Sequence, residues 1–292
     1  MCVGTFIADT GLWLIGAPLA NTALSPRGVP ATLALLEYSR QPFAMSESST
    51  PAIVVEELTK HYGDVKALRG IDFRVEPGEI VGFLGPNGAG KTTTMKILTC
   101  STIADSGRAA VAGDDVGEDP QAVRRAIGYL PENVPLYDEM LVYDYLQFIA
   151  GIQEVDAGER EERVRQVADR TGVTDVLGRP IATLSKGYRQ RVGLAQAIIH
   201  QPEVIILDEP TTGLDPNQIV EIRDVITTIG DDATVLLSTH ILQEVSAVCD
   251  RIIIIDEGRI VADGPIDELK TDADAEDLEQ LFRHHTAPTP TT

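Results

Sequence analysis

The stretch Ile80-Val81-Gly82-Phe83-Leu84-Gly85-Pro86-Asn87-Gly88-Ala89-Gly90-Lys91-Thr92-Thr93 decides the fold. Its apolar start predicts a buried strand, the glycine-rich centre predicts a loop, and residues 91–100 fit a helix. Gly85-x4-Gly90-Lys91-Thr92 fills every required position of a phosphate loop, and strand, loop and helix are the context such a loop needs. Glycines let the backbone curl so that successive N–H groups point inward at β- and γ-phosphates. Lys91 adds a point charge, Thr92 offers a hydroxyl to Mg2+, and the helix adds the positive end of its dipole. Gly85, Pro86, Asn87, Gly88, Ala89, Gly90, Lys91, Thr92 and Thr93 are therefore the candidate ATP-binding residues. A glycine-rich turn matching by chance would lack the strand before and the helix after.

Upstream, Ile53–Leu58 and Ile71–Val75 alternate as strands, with turns expected at Gly63-Asp64 and Arg69-Gly70. Pro77-Gly78-Glu79 turns the chain into the strand before the loop. Downstream, residues 138–172 read as mostly helical, with Tyr145, Leu146, Phe148 and Ile149 on one apolar face. Glu159–Arg163 is a solvated run with helical charge pairs. A helix is expected from Gly187 to His200. A regular alternation follows: strand 204–208, helix 216–229, strand 234–238, helix 241–248, strands 252–256 and 259–263. Such alternation implies parallel strands covered by helices. A short acidic helix over Ala273–Arg283 and a Pro/Thr tail from Thr286 complete the chain, which shows no internal repeat.

Val204-Ile205-Ile206-Leu207 place Asp208-Glu209 at the carboxyl end of a buried strand, where an open parallel sheet binds ligands. Asp208 is placed to hold Mg2+. Glu209 is placed to orient and activate an attacking water, work that needs a carboxylate near the γ-phosphate. A pair of loop carboxylates capping the next helix is the lesser alternative when the pair is taken alone, and beside a phosphate loop the chemical reading prevails.

The net charge of -21, with a pI near 4.5, repels phosphate backbones and counts against a nucleic-acid partner. It suits solubility at high salt, and equally an ordinary acidic cytosolic protein. Cys2, Cys100 and Cys249 form no metal-spaced cluster and read as reduced packing residues. No run reaches the roughly 18 uninterrupted apolar residues of a membrane span; Thr10–Leu24 is short and broken by Gly16, Pro18 and Asn21. Residues 1–44 carry Asp9 and Glu37 against Arg27 and Arg40 and show no clear periodicity. They are expected to be a disordered or over-extended N-terminal extension, with Met45 as the natural start and a membrane-touching anchor as the alternative.

Leu184-Ser185-Lys186-Gly187-Tyr188, followed by Arg189-Gln190-Arg191, is similar to the Leu-Ser-Gly-Gly-Gln signature of ATP-binding cassette (ABC) transporter nucleotide-binding subunits. The order of segments resembles that family over roughly residues 52 to 265. The resemblance implies an α/β fold: a P-loop NTPase parallel-sheet core, an antiparallel β subdomain and a helical signature subdomain. It implies an ATPase domain at 52–270, with the helical subdomain at about 133–190 and a short helix and disordered tail over 271–292. Ser185 and the Gly187 backbone at a helix start form an anion site, which in the family faces the γ-phosphate held by the opposite subunit. Two chains then sandwich two nucleotides.

Further roles carry over by resemblance. Tyr62 is similar to the aromatic that stacks on adenine, with Val65 nearby, although a strand aromatic often only packs. Pro210–Asp215 looks like the D-loop, with Asp215 contacting the partner chain. His240, after Ser238-Thr239, matches the switch histidine that bonds the γ-phosphate; a lone histidine is more often structural, but this one stands at the matching position.

Two departures matter. Glu132, within Gly128–Asn133, stands where the family's Q-loop has glutamine, and its carboxylate can still ligate Mg2+ or its water. Lys186 replaces the first signature glycine and Tyr188 the glutamine; Lys186 either supplements phosphate binding or faces solvent. Both variants resemble exporter-type cassettes, including the gliding-motility-associated branch. The implied protein is an ATPase subunit, a homodimer at the cytoplasmic face of the membrane, driving a separately encoded permease, with ATP and Mg2+ as cofactors. Two competitors remain: a soluble cassette ATPase acting on ribosomes or DNA, and a non-hydrolysing ATP-dependent clamp.

Overall fold

Alternate side chains of the central strands leave on opposite faces, so a strand apolar at every position must be covered on both sides. The structure, a computed structural model, describes residues 50–286 and shows that arrangement. β1 (Ile53–Tyr62) and β2 (Val65–Val75) form a hairpin, and β3 (Ile80–Leu84) leads into α1 (Lys91–Leu98). β4 (Ser106–Val111), β5 (Asp114–Asp115), α2 (Pro120–Ala126) and β6 (Ile127–Leu130) follow. A helical segment then holds α3 (Val142–Ile152), α4 (Arg160–Arg170) and α5 (Lys186–Ile198). The last part runs β7 (Val204–Asp208), α6 (Pro216–Gly230), β8 (Thr234–Thr239), α7 (Leu242–Val248), β9 (Arg251–Asp256), β10 (Arg259–Pro265), α8 (Ile266–Asp272) and α9 (Leu278–Thr286).

The strands form two sheets: β2-β1-β4-β5, antiparallel, and β10-β9-β3-β8-β7-β6, parallel except for the β10 edge. In the larger sheet Ile205, Leu207, Val235, Leu237, Ile252 and Ile254 enter the core shared with α3 to α6. Val204, Ile206, Leu236, Ile253 and Ile255 enter the opposite core, shared with α1 and the smaller sheet. Each fully buried Ile, Leu or Val contributes roughly 1.5–3 kcal/mol, so these alternating faces lock the register.

Several expectations are corrected. Arg69-Gly70 is not a turn. β2 runs through it as a bulge: Leu58 pairs with Ile71 but Thr59 with Arg69, and the extra Gly70 has φ 82°. Phe148 is not on the core face of α3. Tyr145 and Leu146 are fully buried, whereas Phe148 is 42% exposed, because at 100° per residue it lies well away from the Val142–Tyr145–Ile149 side. The C-terminal helix begins at Leu278 rather than Ala273. The Asp277 carboxylate accepts from the Gln280 N–H at 2.8 Å, so the helix starts where a cap exists. α8 before it was not foreseen, and Leu278 and Leu281 of α9 are buried in the main core.

The expected extension at 1–44 and the tail beyond Thr286 lie outside the described residues. Among the described residues no helix is long and apolar enough to cross a membrane.

Candidate functional site

Four parallel strands deliver their carboxyl ends to one place. Leu84 of β3 pairs with Thr239 of β8, Asp208 of β7 with Ser238, and Leu130 of β6 with Leu207. The residues that follow therefore meet at one edge: the phosphate loop, Glu209, His240 and Glu132. A cleft of about 380 Å³ lies there, lined by Val65, Ala67, Asn87, Gly88, Gly90, Lys91, Thr92, Thr93, Glu132, Glu209, Thr212 and His240.

Loop shape follows from its glycines. Gly88 and Gly90 have φ of 82° and 118°, which L-residues avoid. A Cβ on Gly85 would stand 2.4 Å from the Ile255 carbonyl oxygen, and one on Gly90 would stand 2.8 Å from that of Ala67. Pro86 and Ala89 complete the curl, with the Ala89 N–H donating to the Pro86 carbonyl at 3.1 Å. Lys91, only 6% exposed, folds back so that Nζ donates to the Gly85 carbonyl at 2.7 Å and the Pro86 carbonyl at 3.3 Å.

Glu209 has φ 51°, an uncommon value for a non-glycine residue, and is 8% exposed. Its Oε1 lies 3.6 Å from Lys91 Nζ. Its Oε2 lies 2.8 Å from His240 Nδ1 and accepts from Thr212 Oγ1 at 3.3 Å. One oxygen thus faces the loop lysine, while the other is anchored by two groups. Asp208 sits deeper, accepting from Ser238 Oγ at 2.5 Å. Burial, with the Asp208 charge adding to it, pushes the neighbouring Tyr129 hydroxyl up to about 12.

One buried carboxylate near the site escaped the sequence reading. Glu244 on α7 is buried; Oε1 accepts from Thr211 Oγ1, and Oε2 accepts from Thr239 Oγ1 at 3.1 Å. It ties the segment after Glu209 to the residue before His240. Its only sequence signal is an acid four residues after a histidine, and many solvated acids share that. Burial raises its pKa above 4.5, against the lowering effect of its hydrogen bonds. Below pH 4.5 the group is protonated in both folded and unfolded chains; as pH rises through the folded value its contribution to stability is lost. The stability of wild type relative to Glu244→Gln, by urea denaturation, should therefore fall as the pH rises above 4.5. A flat difference would refute this.

The signature residues cluster 184–188 caps α5. Ser185 is the N-cap, and its Oγ accepts from the Tyr188 N–H at 3.4 Å. The Tyr188 hydroxyl donates to Asp175 at 2.8 Å while Arg191 lies 4.2 Å over the ring, so this side chain is engaged within its own chain. Gly187 abuts Gln218, which forms a capping box with Asp215 at the start of α6. Lys186 Nζ donates to the Thr212 carbonyl at 2.6 Å. Tyr62 and Val65 face each other across the β1–β2 hairpin; Val65 lines the cleft, while Tyr62 stands exposed beside it with Lys60 Nζ 5.6 Å from its ring centre.

ATP and Mg2+ can be tested against these residues. Glycine at 85 and 90 lets the loop pack against the backbone of Ile255 and Ala67, positive φ at Gly88 and Gly90 gives it the curl that turns N–H groups toward a phosphate, and a buried ammonium stands beside it. The oxygens on offer for a cation, from Thr92, Asp208 and Glu132, are the hard donors Mg2+ prefers. Among the described residues no three His, Cys, Asp or Glu side chains are gathered as a metal site, so a cation here would depend on phosphate oxygens and water for the rest of its ligands.

Comparison with known proteins agrees. A family model described as "ABC transporter" matches residues 68–212. The daunorubicin resistance ATP-binding protein DrrA3 of Streptomyces coeruleorubidus is 39% identical over 233 residues, 80% of this chain and 74% of that protein. The ABC transporter ATP-binding protein NatA of Bacillus subtilis is 36% identical over 220 residues, 75% of this chain and 89% of that protein. A solved ATP-binding subunit of an ABC transporter superposes with a TM-score of 0.72 at 30% identity, covering 79% of this chain and 98% of the other. With relatives this similar spanned over most of their length, the chain belongs to the ATP-binding subunits of ABC transporters.

Proposed function

We propose that this chain hydrolyses ATP in a pair of copies that close over two nucleotides and drive an exporter whose permease is a separate polypeptide. One observation carries the reading. The Glu209 carboxylate is buried at the mouth of the phosphate loop, with Lys91 beside one oxygen and His240 on the other. A base held from one side presents its second oxygen in a defined direction, which proton removal from an attacking water requires. Lys91 and the loop N–H groups hold the phosphates, and Val65 and Tyr62 take the base. His240 steadies Glu209 and reaches the γ-phosphate. Bound Mg2+ would supply charge neutralisation on the phosphates, held by Thr92, Asp208 and Glu132. Ser185 and the Gly187 backbone at the start of α5 would face the neighbour's phosphates, with Lys186, Tyr188 and Asp215 beside them at the contact between the two chains. Residues 52–270 act as the ATPase domain, with about 133–190 as its helical part.

An apolar stripe supports a membrane partner. Leu141, Phe148 and Ile152 lie on the outward side of α3, and Tyr137 packs on Phe148 at 5.8 Å between ring centres, all of them exposed. Such a contiguous patch marks a contact surface, here for a cytoplasmic element of the permease. The chain would then sit peripherally on the cytoplasmic face of the membrane. Export fits a relative named for drug resistance, and the net charge of -21 disfavours a nucleic-acid partner.

The test is a dilution series. If each site needs two chains, ATPase activity per mole should fall as protein is diluted, and the slope should vanish at high concentration. Co-expression with a multi-span protein encoded beside it should carry the chain into the membrane fraction. Activity per mole that ignores dilution would refute the paired site.

A further inference from the structure

We propose that Lys186 is a positioning residue that couples the two nucleotide sites, by strapping the signature helix to the loop that carries Glu209 within the same chain. This rests on the paired-site reading above. Lys186 opens α5, where a cation opposes the positive end of the helix dipole. The ammonium is compensated by the Thr212 carbonyl, which accepts its hydrogen bond at 2.6 Å. Access depends on Gly213: its φ is 72°, and a Cβ there would stand 2.3 Å from Lys186 Nζ. Thr212 in turn holds Glu209 twice. Its N–H donates to the Glu209 carbonyl at 3.2 Å and its hydroxyl to Oε2 at 3.3 Å.

The path from signature to carboxylate is therefore one side chain and one residue long. In the paired arrangement, α5 of one chain closes on its neighbour's phosphates. That displacement reaches Glu209 of the first chain through Lys186 and Thr212. A glycine in place of Lys186 has no side chain to make this link. The lysine consequently serves geometry in its own site rather than phosphate binding in the neighbour's.

Lys186→Met keeps the stem and removes the donor, and Lys186→Arg keeps a donor. In the Met variant, kcat should fall about 10-fold with the KM for ATP changed less than about 2-fold, as expected for one lost charge-assisted hydrogen bond that acts on geometry. The Hill coefficient for ATP should drop towards 1, and Lys186→Arg should restore part of both. Amide hydrogen exchange at Thr212 and Leu214, measured on the nucleotide-free full chain, should quicken about 5-fold or more in the Met variant. Two results would overturn the proposal: a KM raised about 10-fold or more with kcat kept, which makes Lys186 a phosphate ligand, or kinetics and exchange both unchanged. A non-cooperative wild type whose activity per mole ignores dilution refutes the paired site itself. The exchange result then still tells whether the strap exists, although the coupling falls.

Discussion

Glu209→Gln should lower ATP turnover by about 10²–10⁴-fold, the range for losing a positioned general base, while ATP affinity changes by only a few-fold. The substitution is isosteric. The amide oxygen can still accept from His240, which now sits 2.8 Å from Oε2, and Lys91 keeps its bonds to the Gly85 and Pro86 carbonyls. What disappears is the carboxylate's ability to take a proton. Binding therefore survives and the chemical step does not, so in the proposed pair ATP should hold two copies together without release. Size-exclusion chromatography with ATP and Mg2+ should show a dimer for the variant and mostly monomer after turnover for wild type. Equal residual rates in the two proteins would sink the hydrolytic role of Glu209 and revive the non-hydrolysing clamp.

Lys91→Met should weaken ATP binding by about 10–100-fold, since a hydrogen bond to a charged group is worth about 1.5–3 kcal/mol and 1.4 kcal/mol is tenfold. A second loss accompanies the first. Lys91 is the cation facing Glu209 Oε1 at 3.6 Å, and both groups are buried. Without it the carboxylate keeps His240 and Thr212 on its other oxygen alone, so the nucleotide-free variant should also be less stable. The two effects separate in a ligand-dependent melt. At ATP concentrations about 100 times the wild-type Kd, wild type gains about 2.7 kcal/mol, whereas a variant binding 100-fold more weakly gains about 0.4 kcal/mol. An undiminished ATP-induced shift in the Met variant would show that Lys91 does not grip the nucleotide.

How much was legible before folding differed from segment to segment. The phosphate loop was readable because its requirements are local: glycines where φ is positive, a lysine at the helix start, an apolar strand before it. The later strands and helices, from β7 to β10, fell within a few residues of expectation because β7, β8 and β9 are apolar on both faces and β10 follows directly on the Glu257-Gly258 turn. β4 and β5 gave no such signal. β4 is exposed over its first half and buried over its second, so it neither alternates nor forms an apolar run; it is a strand because β1 and β5 pair with it. The Gly70 bulge was misread for a similar reason, since Arg-Gly suits a turn and a bulge equally until a partner strand is present.

The chain's local order of residues was enough to determine the phosphate loop, the buried strand ending in Asp208-Glu209, the signature-like helix start and the histidine after β8. Each depends on neighbours within a few positions, where backbone propensity and hydrophobic period act directly. Tertiary structure alone decided that Lys186 turns to a carbonyl 26 residues away and that Glu244 bridges Thr211, 33 residues before it, to Thr239. It also decided that Phe148 faces outward. Those outcomes depend on which elements the sheet order brings side by side, and a polar side chain takes whatever partner the burial of its surroundings leaves within reach.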